Sequence, residues 1–137
     1  MRQTGTCHCG RVTFTVDVPE DMRPHRCNCS ICTLKGSVSI DVPHDALAIT
    51  AGEDALSLYT FNTHLAQHWF CGTCGIHVYH QLRSDPAKVA INGACVAGLG
   101  PYDFSQMPVH DGRDAHPKDT GRPTRIAGMM RYESKRD

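Results

Sequence analysis

Gln67-His68-Trp69-Phe70-Cys71-Gly72-Thr73-Cys74-Gly75-Ile76-His77-Val78-Tyr79-His80-Gln81-Leu82 reads as a strand, a two-cysteine knuckle and a second strand. Residues 67–70 lead in and residues 77–82 lead out. Ile76, Val78, His80 and Leu82 fall on one face, and His77, Tyr79 and Gln81 on the other. Two thiolates three positions apart converge on one metal when the turn between them is tight. Gly72 and Gly75 are placed to supply the left-handed backbone that lets N–H groups point at sulfur. A knuckle is half a site, so its partner pair must come from elsewhere in the chain.

Cys7-His8-Cys9-Gly10 is the other two-cysteine unit. It stands just before residues 11–18, where Val12, Phe14, Val16 and Val18 alternate with Thr13, Thr15 and Asp17 as in a half-buried strand, and Pro19 ends the run. In an extended segment residues i and i+2 point the same way, so Cys7 and Cys9 present both sulfurs to one metal while His8 points away. Cys7, Cys9, Cys71 and Cys74 then close a tetrahedral structural zinc site that ties the first strand to the central hairpin. In a domain with a modest core, such a staple supplies much of the folding free energy. The alternative is two metal-free cysteine pairs.

The remaining cluster is Cys27-Asn28-Cys29-Ser30-Ile31-Cys32. It cannot join the first site without exceeding four ligands. Three thiolates on a second Zn²⁺ leave one position for water, a thiol or a carbonyl oxygen, and a thiol entering there is deprotonated by the metal. Cys27, Cys29 and Cys32 are therefore the candidate catalytic site, with Arg26 and Lys35 flanking it to moderate negative charge. Two other readings stay open: His25, His68, His77 or His80 closes the site and makes it structural, or zinc loss permits a redox disulfide. Cys95, alone in an apolar run, is expected to be a small buried hydrophobe, and Trp69 a core residue.

The rest of the chain sets the frame. With 137 residues and 40% hydrophobic composition, one domain over residues 1–130 is expected, with 131–137 as a flexible tail. Fourteen Lys+Arg balance fourteen Asp+Glu, so no basic excess points to nucleic acid or an anionic membrane. Residues 1–6 lack a signal-peptide core, and no stretch approaches the roughly 18 apolar residues of a membrane span. The expectation is a cytoplasmic protein in a reducing compartment, where clustered cysteines are metal ligands or redox thiols rather than a secreted disulfide scaffold. Further strands are expected at 56–61 and 88–96, the latter weakened by Gly93, and a short helical turn at Ser84-Asp85-Pro86. No window carries a helical stripe over 12 or more residues. Beyond Gly98 the spacing of Pro101, Pro108, Pro117 and Pro123 suggests a long irregular binding segment.

The order of these motifs resembles the glutathione-dependent formaldehyde-activating enzyme family, also called centromere-protein-V-like. The resemblance rests on Gly5-Thr6-Cys7-His8-Cys9-Gly10-Arg11-Val12-Thr13-Phe14, on residues 27–32 with Gly36, on Phe70-Cys71-Gly72-Thr73-Cys74-Gly75, and on Asp111-Gly112-Arg113-Asp114-Ala115-His116-Pro117. It implies a mostly β, Mss4-like fold of small antiparallel sheets around a structural zinc held by Cys7, Cys9, Cys71 and Cys74. Cys27, Cys29 and Cys32 would hold a catalytic zinc. The implied activity is carbon–sulfur lyase-type: addition of a small-molecule thiol, glutathione, to a small aldehyde, formaldehyde. Arg11, Lys35, Arg113 and Arg122 are candidates to receive glutathione carboxylates. Two rivals are a non-enzymatic zinc module that binds a protein partner, and a methionine sulfoxide reductase, which would need Cys95 as its redox cysteine.

Overall fold

The computed structural model describes residues 1–136. In chain order the elements are strands β1 (Arg2–Thr6), β2 (Thr13–Asp17) and β3 (Arg26–Cys27), helix α1 (Ser30–Lys35), strands β4 (Ser39–Pro43), β5 (Leu47–Ala51), β6 (Leu56–Tyr59), β7 (Gln67–Cys71), β8 (His77–Gln81), β9 (Lys88–Asn92) and β10 (Gln106–His110), helix α2 (Pro117–Thr120) and strand β11 (Ile126–Arg131). The protein is mostly β, as expected, and built of small sheets. A five-stranded antiparallel sheet runs β4-β9-β8-β7-β6; a second sheet is β1-β2-β5, and a third is β11-β10-β3. Among the described residues the one parallel pairing joins β10 to the two residues of β3.

The alternation read in residues 11–18 holds: Phe14 and Val16 are buried on β2. They merge with Ile40 and Val42 of β4, Val78 of β8, and Val89 and Ile91 of β9 into one core, and Cys7 and Cys71 belong to the same cluster. The core thus reaches the four-cysteine site. Among the described residues no helix is long and apolar enough to cross a membrane.

Several expectations need correction. The segment beyond Gly98 is not irregular throughout: β10 and β11 pair antiparallel through it, and Pro108 sits within β10 opposite Met129. Arg131 is part of β11, and the Tyr132 N–H donates to Ser105 O at 2.9 Å, so the chain stays paired one residue beyond the expected start of the tail. Asp137 lies outside the described residues. No helix forms at residues 84–86; Asp85 instead accepts from the Ala87 N–H at 3.0 Å, a side-chain turn that competes with helix. The expected 88–96 strand stops at Asn92, whose side chain accepts the Ala94 N–H and starts a 3-10 turn over Gly93–Cys95. Strand pairing in β6 ends at Tyr59 rather than residue 61.

Candidate functional site

The knuckle is held by short backbone bonds: Gly75 N–H donates to Cys71 O at 2.7 Å, and Cys71 N–H to Ile76 O at 2.9 Å. Gly75 has the left-handed φ of 78° that the sequence led us to expect. Gly72 does not, and its reason is space, since a Cβ there would lie 2.8 Å from Ser57 Oγ. Cys7-His8-Cys9-Gly10 is a turn closed by Gly10 N–H on Cys7 O at 3.3 Å, not an extended segment. The curl of the turn, rather than strand alternation, brings Cys7 Sγ within 3.6 Å of Cys9 Sγ, which is 3.7 Å from Cys71 Sγ. His8 is exposed.

The sulfurs of Cys7, Cys9, Cys71 and Cys74 all lie within 4.8 Å of one another, and every cysteine is free. The backbone N–H groups of Cys9 and Ile76 face Cys74 and pull its thiol down to about 6. Val12 N–H points at Cys7 Sγ from 3.4 Å. Four converging sulfurs with N–H groups aimed at them are a donor set that could hold a soft metal ion as thiolates.

The second cluster is assembled from two elements. Cys27 ends β3, Cys29 is the N-cap of α1, and Cys32 lies buried within that helix. Their three sulfurs also lie within 4.8 Å of one another. Cys29 is held far below the usual thiol range, first by the Cys27 and Cys32 thiols and then by the N–H groups of Cys32 and Ile31 at the helix start. None of His25, His68, His77 or His80 joins this set: the converging group is three cysteines. The structure therefore does not supply the histidine that would close the site.

The floor under the cluster comes from the turn after β10. Asn28 Oδ1 accepts from Gly112 N–H at 2.9 Å and Arg113 N–H at 3.0 Å. Its Nδ2 donates to Asp111 Oδ1 at 3.4 Å. Asp111, 4% exposed, also accepts from Asp114 N–H and from Arg125 Nε at 3.1 Å, and its carboxyl sits well below the usual carboxylate range, through the Asp114 bond first. A Cβ on Gly112 would lie 2.7 Å from Cys27 Sγ and 3.0 Å from Cys29 Cβ. Gly112→Ala should therefore push the sulfurs apart. Metal analysis is expected to show loss from the three-cysteine cluster with the four-cysteine cluster still filled; an unchanged metal content would mean that the turn yields freely.

The three cysteines open on a cavity of about 470 Å³, within the range of small-molecule sites. Its walls carry His25, His68, His80 and His110, with Phe61 and Arg113. His25 and His110 stack face to face at 3.7 Å, 9° from parallel, and His25 Nε2 is 3.9 Å from Asp41 Oδ1. Burial pushes both imidazoles down to about 4. Arg83 and Asp119, which carry no sequence motif, line the cavity and form an ion pair between the loop after β8 and α2.

Of the flanking cations, Lys35 keeps the expected role, since against burial the charges of Cys32, Cys29 and Cys27 hold its ammonium up, whereas Arg26 is engaged elsewhere. Arg26 donates to Gly36 O and so caps the end of α1. Lys35 Nζ lies 2.7 Å from His68 Nδ1 and 3.2 Å from His77 Nε2, and burial brings the ammonium down to about 8. Arg113 lines the cavity; Arg11 and Arg122 do not. Cys95 is buried as expected, its thiol facing His77 O at 3.6 Å and pushed up to about 11 by burial, which opposes a redox role. Trp69 is half-buried and stacks on Tyr79.

The chain as a whole is similar to known proteins. A crystal structure of a Rhodobacter sphaeroides protein is 38% identical, aligns over 77% of this chain and 98% of its own, and superposes with a TM-score of 0.74. Residues 2–107, which contain both cysteine clusters, match the glutathione-dependent formaldehyde-activating enzyme family. The chain belongs to that family.

Proposed function

We propose that the protein is a two-zinc enzyme that joins a thiol of the glutathione class to a small aldehyde of the formaldehyde class, a carbon–sulfur lyase-type reaction. The observation that carries this reading is the three-sulfur cluster, which among the described residues gathers no fourth protein donor and which opens on the cavity. Zinc suits both donor sets. Tetrahedral thiolates about 2.3 Å from Zn²⁺ stand roughly 3.8 Å apart, and the first cluster shows sulfur separations of 3.6 and 3.7 Å. Cys7, Cys9, Cys71 and Cys74 would hold the structural ion, and Cys27, Cys29 and Cys32 the catalytic one.

A bound zinc with three thiolates supplies Lewis acidity that keeps an incoming thiol ionised near neutral pH. The chain's own contribution is to place and shield the reactants. Asn28, Asp111 and Gly112 fix the cluster's floor, and the helix start at Cys29 offsets its negative charge. Arg113 lines the cavity and, among the described residues, is in no ion pair, so it is the cation placed to receive a substrate carboxylate. In the reaction the thiol loses its proton, sulfur attacks the carbonyl carbon to form a C–S bond, and the C=O π pair moves to oxygen. That oxygen takes up a proton, giving a hydroxymethyl thioether with no change in overall charge.

Two zinc ions per chain are expected by metal analysis. Proton NMR exchange measurements with glutathione and formaldehyde should show hemithioacetal formation faster with the zinc-loaded protein than without it. Equal rates would discard the activity. One zinc per chain, held only by the four-cysteine cluster, would leave a binding module.

A further inference from the structure

Lys35 fixes the protons of two histidines. An ammonium has donors and no lone pair, so His68 Nδ1 at 2.7 Å and His77 Nε2 at 3.2 Å must both accept from it. For neutral imidazoles this puts the proton of His68 on Nε2 and that of His77 on Nδ1. His68 is neutral: burial, then the adjacent Lys35 charge, push it down to about 4. Its Nε2–H is therefore a donor, yet Nε2 has no hydrogen-bond partner in the protein and is covered from bulk water.

His68 itself is 4% exposed and belongs to the cavity wall shared with Cys27, Cys29 and Cys32. Its ring stacks with Phe61 at 5.8 Å and with His80 at 5.0 Å, so its direction is set by packing as well as by Lys35. Buried donors are almost always partnered, and an unpartnered one in a ligand cavity asks which ligand atom completes it. A donor with a single fixed proton fits an acceptor oxygen. It fits best an oxygen whose negative charge grows during reaction, since water is excluded around it.

We propose that His68 is a catalytic residue that donates its Nε2–H to the carbonyl oxygen of the aldehyde, with Lys35 as the positioning residue that holds the required tautomer. The inference rests on the thiol–aldehyde reading above and adds a division of labour to it. The three-cysteine cluster takes the thiol, and His68 takes the oxygen. As the C–S bond forms, the C=O π pair becomes an alkoxide accepting from Nε2–H. Reaching the buried Nε2 requires a side chain packed near it to move, and that step is assigned to Phe61, which is half-buried on the loop between β6 and β7, stacks on the His68 ring at 5.8 Å and lines the same cavity.

The test uses the zinc-loaded chain. Nitrogen-15 NMR of the histidine rings should show His68 protonated at Nε2, and titration with formamide, an unreactive carbonyl probe, should shift that Nε2–H resonance. His68→Phe keeps a ring in the stack and removes the donor. It is expected to lower kcat/KM for adduct formation on the order of 10²-fold, with both zinc ions retained. His68→Gln, which restores an N–H at similar reach, should recover most of that loss. Lys35→Met should leave His68 a mixture of tautomers in the NMR spectrum, a change that a purely structural lysine would not produce. A wild-type His68 protonated at Nδ1, a formamide titration that leaves Nε2 unmoved, or a His68→Phe protein as fast as wild type would each overturn the proposal. Should His68→Phe fail to fold, the tautomer and the formamide titration decide it. A wild-type protein that shifts with formamide but accelerates no thiol adduct would instead discard the thiol–aldehyde reading, leaving His68 as a carbonyl donor for another reaction.

Discussion

Cys71→Ser should abolish cooperative unfolding, so that the variant melts without a transition or at a midpoint lowered by more than about 15 °C. The size follows from two comparisons. A domain of this length is stable by about 5–15 kcal/mol net, and a structural zinc in a small domain contributes an apparent 10–16 kcal/mol. The metal term is thus as large as the whole margin. Geometry agrees, because Cys71 is fully buried, closes β7 and belongs to the same apolar cluster as Phe14, Val78 and Ile91. Losing that thiolate unties the β7–β8 knuckle from the turn before β2, and the hydroxyl left behind is buried without the metal that justified a polar atom there. A strong chelator acting on the wild-type protein should reproduce the effect. Cys95→Ser is the matching control: it too is buried, but outside both clusters, and its thiol already faces His77 O, so serine has a ready acceptor and the midpoint should hardly move. If Cys71→Ser melted with the wild-type midpoint and bound as much metal, the four-cysteine cluster would not be what holds the fold.

The different legibility of the two clusters has a physical origin. The Cys71–Cys74 knuckle and the Val12–Val18 alternation are local patterns, and both came through as strand, turn and core. The partition into four and three sulfurs was also readable, because ligand number is a counting constraint. What stayed hidden depends on contacts distant in sequence. Helix α1 has six residues, too few to show an apolar stripe, and only Gly36 at its left-handed C-terminus advertised it. β10 is paired with β3, some 80 positions earlier by its register of Val109 with Arg26, and Pro108 within it argued against a strand. Asn28 reads as filler between two cysteines until Gly112 and Arg113 arrive to donate to it. His68 and Lys35, 33 positions apart, carry no motif at all. The wall of the cavity is therefore the part that sequence alone conceals, whereas the metal ligands announce themselves.

Cys29→Ala should do the opposite of Cys71→Ser: activity lost, fold retained. None of Cys27, Cys29 and Cys32 belongs to the central apolar cluster, and α1, which Cys29 caps, buries only Cys32. Removing the sulfur takes away one of three ligands and the thiolate that the start of α1 is arranged to face. Two thiolates hold the second ion poorly, so about one zinc per chain should remain after dialysis. The cap itself costs about 1 kcal/mol at most, because Cys29 makes no side-chain capping bond. The unfolding midpoint should therefore fall by only a few degrees. Adduct formation should drop on the order of 10²-fold or more, since only about 3% of a free thiol is ionised at neutral pH and the thiolate is no longer held in place. Measuring zinc, midpoint and rate on the same preparation separates the possibilities. A variant that keeps two zinc ions and full rate would remove Cys29 from the active site. One that loses its cooperative transition would show that the three-cysteine cluster is a second staple rather than a place for chemistry. Folded, with one zinc and no acceleration, the chain would have its structural and reactive metals assigned to separate clusters.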